Sequence, residues 1–207
     1  MGRSSLQLAS AGGHLQIVKI LLSAGAAVDH QDELDRNTAL HLACHHGFSQ
    51  AVSLLCSSKA NVYMKNRAGF GALHVACQNG HNQSCREVLT SGCRPDIKNN
   101  VRHNQEERRE DKIVMFQFGD TPLHTAARYG HAGVTRILLS AKCKVSHQNK
   151  NGDTALHIAA AMGKRKLTRI LVVAGVNINV RNNQGETAME IAIRKDLPFS
   201  TNPSCLC

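Results

Sequence analysis

The sequence predicts an all-α repeat solenoid assembled from many small, similar layers, and three observations carry that prediction. A six-residue pattern recurs in phase along the 207 residues. Apolar clusters follow the copies at three- and four-residue spacings, which place them on one helical face. Hydrophobic residues make up 42% of the chain, but aromatics only 3%, and Trp is absent. The core is therefore filled by Leu, Ile, Val and Ala in repeated layers and is not centred on large rings.

The copies run in order. The first reads Ser4-Ser5-Leu6-Gln7-Leu8-Ala9, the second Thr38-Ala39-Leu40-His41-Leu42-Ala43, and the third Gly71-Ala72-Leu73-His74-Val75-Ala76. The fourth is Thr121-Pro122-Leu123-His124-Thr125-Ala126, the fifth Thr154-Ala155-Leu156-His157-Ile158-Ala159, and the sixth Thr187-Ala188-Met189-Glu190-Ile191-Ala192. The intervals between their starts are 34, 33, 50, 33 and 33 residues. A fixed period of this size is the mark of a stacked repeat architecture. Gly13, Gly47, Gly80, Gly130 and Gly163 keep the same phase, and His14, His81 and His131 follow three of them.

The pattern T-P-L-H-x-A-A followed by G-H resembles the ankyrin repeat over nearly the whole chain. The resemblance implies two antiparallel helices and a projecting hairpin loop per repeat, stacked side by side. It also gives the motif histidines His41, His74, His124 and His157 a structural role, bonding backbone between repeats. The repeats start near residues 2, 36, 69, 119 and 152, with a partial one at 185, so the repeat domain covers 1–197 and 198–207 is a tail.

Each element then has a local reason. The motif Thr suits a helix N-cap, where its hydroxyl satisfies a free backbone N–H. Pro122 stands directly after the cap, where a missing N–H is harmless. The glycine before the landmark histidine breaks the first helix and reverses the chain, and that histidine reads as a turn residue. Gly25, Gly92 and Gly175 end the second helices in a left-handed position, which Lys59 and Lys142 occupy in two copies. Those lysines, and Gly71 in place of a capping Thr, mark the second and third repeats as the softer part of the stack. At the N-terminus the chain begins inside a repeat and looks uncapped. At the other end the sixth copy has only a first helix before Pro198, as in a fragment or a truncated isoform.

The 50-residue interval places the excess at 101–117, in the projecting loop, with four acidic and four basic side chains besides His103. Removing it restores the 33-residue period. It reads as a mobile loop, with a lineage-specific docking segment and a retained short intron as the alternative readings.

The formal net charge of +10 favours acidic partners, although the basic residues are dispersed apart from Lys164, Arg165 and Lys166. No leader or membrane-length apolar run is seen, so a reducing, cytoplasmic setting (with the nucleus possible) and free thiols are expected for the eight cysteines. The ending Cys205-Leu206-Cys207 fits no C-a-a-X pattern. His41, Cys44, His45 and His46 cluster, but the repeat accounts for them, and no metal, cofactor or catalytic motif is expected. The chain reads as a non-enzyme.

Hairpin tips and the concave face of the first helices are the positions without packing duty. Tyr63, Met64, Phe70, Gln78, Arg128, Tyr129 and Met162 are the candidate protein-binding residues, because exposed Tyr, Arg and Met anchor interfaces well. A closer resemblance lies in His46-Gly47-Phe48-Ser49-Gln50, in Ala76-Cys77-Gln78-Asn79 with Gln83-Ser84, in Lys98-Asn99-Asn100 and in Ala127-Arg128-Tyr129. These stretches are similar to the ankyrin region of the diversin/Diego scaffolds of Wnt and planar-cell-polarity signalling. That resemblance implies cytoplasmic partners of the Dishevelled and casein-kinase-I kinds, and the long C-terminal region of those scaffolds is missing. Two other readings stand beside it. One is a basic adaptor for nucleic acid or anionic membrane, using Lys164, Arg165, Lys166 and Arg169. The other is the targeting subunit of an enzyme.

Overall fold

The computed structural model describes residues 2–100 and 119–196, which form eleven helices. The excess segment 101–117 and the tail 198–207 lie outside the described residues. The helices come in pairs: α1 (Ser5–Ala11) with α2 (Leu15–Ser23), α3 (Ala39–His46) with α4 (Ser49–Ser57), and α5 (Ala72–Gln78) with α6 (Asn82–Thr90). Then follow α7 (Pro122–Tyr129) with α8 (Ala132–Ser140), α9 (Ala155–Ala161) with α10 (Arg165–Val173), and α11 (Ala188–Asp196). Odd-numbered helices pack on one another in one layer and even-numbered helices in a second. No strand is present among the described residues, only an isolated bridge between Lys65 and Gly71.

The motif builds the first layer. Leu40, Leu73, Leu123 and Leu156 are buried between the layers, facing Val52, Val88, Leu138 and Leu171 of the second. Ala43, Ala76, Ala126 and Ala159 are fully buried, and their small side chains let neighbouring helices approach. Ser4, Thr38, Thr121 and Thr154 cap their helices, and the residue three positions on returns the bond.

That reciprocal residue is also the link between repeats. His41 Nε2–H donates to the Phe70 carbonyl at 3.0 Å, His124 to that of Asp153 at 3.0 Å, and His157 to that of Glu186 at 3.1 Å. A carbonyl can only accept, so the proton sits on Nε2 and Nδ1 is left as the acceptor. Nδ1 of His41 accordingly takes the Thr38 N–H at 3.2 Å and lies 2.8 Å from the Thr38 hydroxyl. Gln7 does the same work in α1, donating to the Asn37 carbonyl at 2.6 Å and accepting from the Ser4 N–H at 2.7 Å.

The third repeat breaks the pattern. Gly71 offers no hydroxyl, so His74 keeps its Nε2 bond to the Asp120 carbonyl, 3.1 Å, but its buried Nδ1 has no partner. A second ladder runs through the hairpins. Asn66 donates to Asn37, Asn149 to Asp120 and Asn182 to Asp153, all side chain to side chain at 2.9–3.1 Å. In the same register Asn99 faces Phe70, which has no acceptor on its side chain, and Asn99 Nδ2 is left buried and unpaired.

Lys59 and Lys142 adopt left-handed conformations, φ 63° and 57°, as the sequence leads one to expect. Arg36 does so too, φ 54°, in the hairpin position that Gly69, Gly119, Gly152 and Gly185 hold elsewhere. The landmark histidines prove to be more than turn residues. His81 Nε2 bonds the His45 carbonyl at 3.0 Å, and His131 Nε2 bonds that of Gln78 at 2.9 Å. The G-H pair is therefore a second clasp between repeats. The preceding glycine supplies the room: a Cβ on Gly47 would stand 2.5 Å from His81 Nδ1.

Candidate protein-interaction surface

Along the first-helix layer the helices end in a row of side chains that core packing does not claim. Gln78 closes α5 and Tyr129 closes α7, and Gln78 Nε2 donates to the Tyr129 hydroxyl at 3.2 Å. The Tyr129 ring stacks on His131, centroids 6.4 Å apart and planes 7° apart. Partial burial pushes the Tyr129 hydroxyl above its ordinary pKa, so it remains a neutral donor. One repeat earlier Asn79 Nδ2 lies 3.3 Å from His45 Nδ1. His45 is held below the usual histidine range by desolvation first and by His46, His81 and Arg3 next. This strip is therefore a hydrogen-bonding and aromatic surface.

Arg128 is only partly available to a partner. Its guanidinium is paired with Asp120 at 2.8 Å, and both side chains are buried. The same carboxylate accepts Asn149 Nδ2 at 2.9 Å. Arg128 still lines a groove of about 420 Å³ together with Met162, Ala161, Asp153, Glu186 and Arg194. Thus Gln78 and Tyr129 touch, Arg128 and Met162 share a groove, and the two pairs continue one another along the layer.

Tyr63 and Met64 lie elsewhere. Tyr63 is half exposed, donates its hydroxyl to the Gly92 carbonyl at 3.0 Å, and has the Arg94 guanidinium 6.0 Å from its ring centre. It spans from its own hairpin to the end of α6. Met64 is half-buried. Phe70 corrects the expectation outright: it is 3% exposed and belongs to the core cluster. Its ring takes the hairpin place that Asn37, Asp120 and Asp153 fill with polar side chains, and there it turns inward because an apolar ring gains from burial. Phe70 is a packing residue, not an anchor.

Six cysteines are free thiols among the described residues, and five of these are buried. Burial pushes Cys44 and Cys77 well up, and Cys93 and Cys143 up to about 12, so they are protonated and poor nucleophiles. Among the described residues no three of His, Cys, Asp and Glu form a group that could hold a metal ion. No described helix is long and apolar enough to cross a membrane.

Of the groove residues, Asn151 and Gln184 fall in the hairpin tips 146–153 and 179–186 that the sequence marks as free of packing duty, whereas Ile191 and Arg194 were not evident as candidates from sequence. The 33-residue phase links Ile191 to Ile158 and Arg194 to Ala161, both of which line the same groove.

A family model described as ankyrin repeats matches the chain in three copies, at residues 6–99, 100–182 and 138–199. Among curated proteins the chain is similar to the probable E3 ubiquitin-protein ligase XBOS32 of Oryza sativa subsp. japonica. The two are 30% identical over 159 residues, covering 70% of this chain and 32% of that protein. It is 35% identical over 71 residues to the ankyrin repeat and SAM domain-containing protein 6 of Mus musculus, covering 34% of this chain and 8% of that protein. It is 28% identical over 175 residues to the transient receptor potential cation channel subfamily A member 1 of Homo sapiens, covering 67% and 14%. The chain thus spans a third or less of the length of these relatives.

Proposed function

The chain belongs to the ankyrin-repeat family, a protein-interaction fold, and on that premise we propose that it is the binding arm of a scaffold or adaptor that holds another protein on its first-helix layer. One observation carries the reading. The motif residues are consumed by repeat-to-repeat bonds and packing, while the ends of the first helices present Gln78, Tyr129, Met162 and part of Arg128 along one continuous strip. Tyr in such a place supplies a large contact area at low conformational cost, and the partly buried Met162 adds a polarizable apolar contact.

The finer reading takes this surface to Dishevelled-like and casein-kinase-I-like partners in Wnt and planar-cell-polarity signalling, in the cytoplasm or nucleus. It rests on the diversin/Diego resemblance alone. The relatives named above suggest the runner-up, a targeting region that brings a protein to an enzyme, since one of them is a probable E3 ubiquitin-protein ligase and the match covers 32% of it. No catalytic role is assigned to this chain. A basic adaptor for nucleic acid or anionic membrane is a third reading, carried by the charge of +10.

The repeat assignment is part of the proposal: starts near 2, 36, 69, 119 and 152, a partial repeat at 185, an insert at 101–117 and a tail at 198–207. The hairpin hydrogen bond Asn99 N–H to the Asp120 carbonyl, 2.9 Å, supports it, because it has the geometry of Asn66 to Phe70 and Asn149 to Asp153, each 2.9 Å.

The test is a pull-down by the purified chain from separate preparations of Dishevelled, casein kinase I and a heparin resin. Tyr129→Ala and Met162→Ala are each expected to lower capture of the true partner by about ten-fold, the size of a modest interface anchor. Capture that both variants leave unchanged overturns the choice of surface. Retention on heparin alone, lost by about 200 mM salt, overturns the protein-binding reading.

A further inference from the structure

The structure assigns a second docking groove, beside α10 and α11, to an acidic amphipathic helix of a partner protein. The groove has a volume of about 810 Å³ and lies between α9, α10 and α11. Its floor is apolar, from Leu156, Ala160, Val172, Val173, Ile178 and Met189. Val173 is 82% exposed and Met189 67%, so among the described residues little covers them.

The wall from α10 is a single helical face. Arg165, Thr168, Arg169, Val172 and Val173 follow one another at i, i+3, i+4, i+7 and i+8. In α8 the position one period before Val172 is Leu139, which is packed against the core, and α8 packs on α10. The even-numbered layer therefore offers, beyond α10, the same kind of seat that α10 takes beside α8. The shape it fits is a helix.

Charge selects which helix. Arg165, Arg169 and Lys195 line the groove, and no Asp or Glu does. None of the three is in a salt bridge among the described residues. A partner helix carrying Leu or Ile at i, i+3, i+4 and i+7 with Glu or Asp on its flanks matches both the floor and the rim. The residues after Asp196, Leu197 to Cys207, include no acidic side chain and carry Pro198 and Pro203, so they do not have that composition. The inference stands on this groove and not on the first-helix layer, so either reading can fail without the other.

The experiment is fluorescence anisotropy of the full chain with three labelled synthetic peptides: an acidic amphipathic helix, its scrambled sequence, and the same helix with Lys for Glu. Binding of the first alone is expected, weakened at least ten-fold by Arg165→Glu with Arg169→Glu and, separately, by Val173→Asp. These side chains are exposed, and unchanged circular dichroism and melting show that the fold is kept. Equal binding of the scrambled or lysine peptide overturns the proposal, as does no binding at all. Three further results overturn it by naming another occupant. They are binding seen only after residues 197–207 are removed, a dimer in sedimentation that Val173→Asp dissolves, and binding to anionic vesicles through Arg165 and Arg169 without peptide binding.

Discussion

His74 shows how narrowly a single position can decide local stability. It is fully buried, keeps its bond to the Asp120 carbonyl, and leaves Nδ1 without a donor because residue 71 is glycine. A Cβ at Gly71 meets nothing closer than Ile97 Cδ1 at 3.5 Å, so the site has room. Gly71→Thr is expected to raise stability by about 1 kcal/mol, by restoring the cap and satisfying the nitrogen. Urea unfolding at pH 7.5 measures this, and a loss of stability sinks the account. The buried histidines also set a pH dependence. Burial holds His41 and His74 at about 4, against an ordinary value of 6.5, with the carbonyl bonds opposing it in part. The unfolded chain takes up protons below 6.5 while the folded chain does not until about 4. Stability is therefore full above 6.5 and falls as the pH drops through that window, by about 1.4 kcal/mol per pH unit for each histidine. Gln7 shows that an amide can do the same bridging. His41→Gln should remove one histidine's share of the slope, and an identical slope in urea midpoints from pH 7 to 5 would refute this.

At the scale of the element, the turns carry the sequence's clearest signals and its exceptions. Gly47 closes α3 at φ 78° with no space for a side chain, so Gly47→Ala is expected to cost about 2 kcal/mol. Lys59 sits in the same half of conformational space without a glycine. Lys59→Gly is expected to gain up to about 1 kcal/mol, less the entropy of a freer unfolded chain. Equal effects of the two substitutions, measured by thermal unfolding, would mean that left-handed strain is not what separates the sites. The buried pair of Arg128 and Asp120 belongs to this scale as well, because it ties α7 to the hairpin before it. Asp120→Ala removes the carboxylate that pairs with the buried guanidinium and also accepts from Asn149 Nδ2, and should cost about 3 kcal/mol. The fold was legible here because caps, glycines and apolar spacing are local rules. The surface was less so. Phe70 reads as an exposed tip residue until its ring is seen inside, and Arg128 reads as a free anchor until Asp120 is found beside it.

For the whole molecule, stability is a sum over repeats and their interfaces, so a weak layer lowers the total without destroying the stack. The third repeat holds three of the five unpaired buried side-chain atoms among the described residues, His74 Nδ1, Ser84 Oγ and Asn99 Nδ2. Hydrogen exchange is expected to open α5 and α6 before α7, α8 and α9, and uniform protection would contradict this. The hairpin at Asn99 and Asp120 closes in the ordinary register across the long connection. Deleting 101–117 should therefore leave a single cooperative transition and raise stability by about 1 kcal/mol, the chain entropy of closing a shorter loop. Loss of cooperative folding in that deletion would show that the segment is integral to the repeat and not inserted in it.

By itself the sequence determined the repeat: its period, its helices, its caps, its turns and the burial of its motif. Each of these depends on residues within a few positions of one another, or on a spacing that recurs. Only the tertiary structure decided what one repeat does to the next. It showed that the landmark histidines clasp the preceding helix, that Phe70 and Gly71 leave polar atoms stranded within the third repeat, and that Arg128 is already paired. It also exposed the basic-rimmed apolar groove beside α10. The clasps between repeats depend on which groups meet far apart in sequence, 29 residues from His41 to the Phe70 carbonyl and 53 from His131 to the Gln78 carbonyl, and no local pattern carries that information.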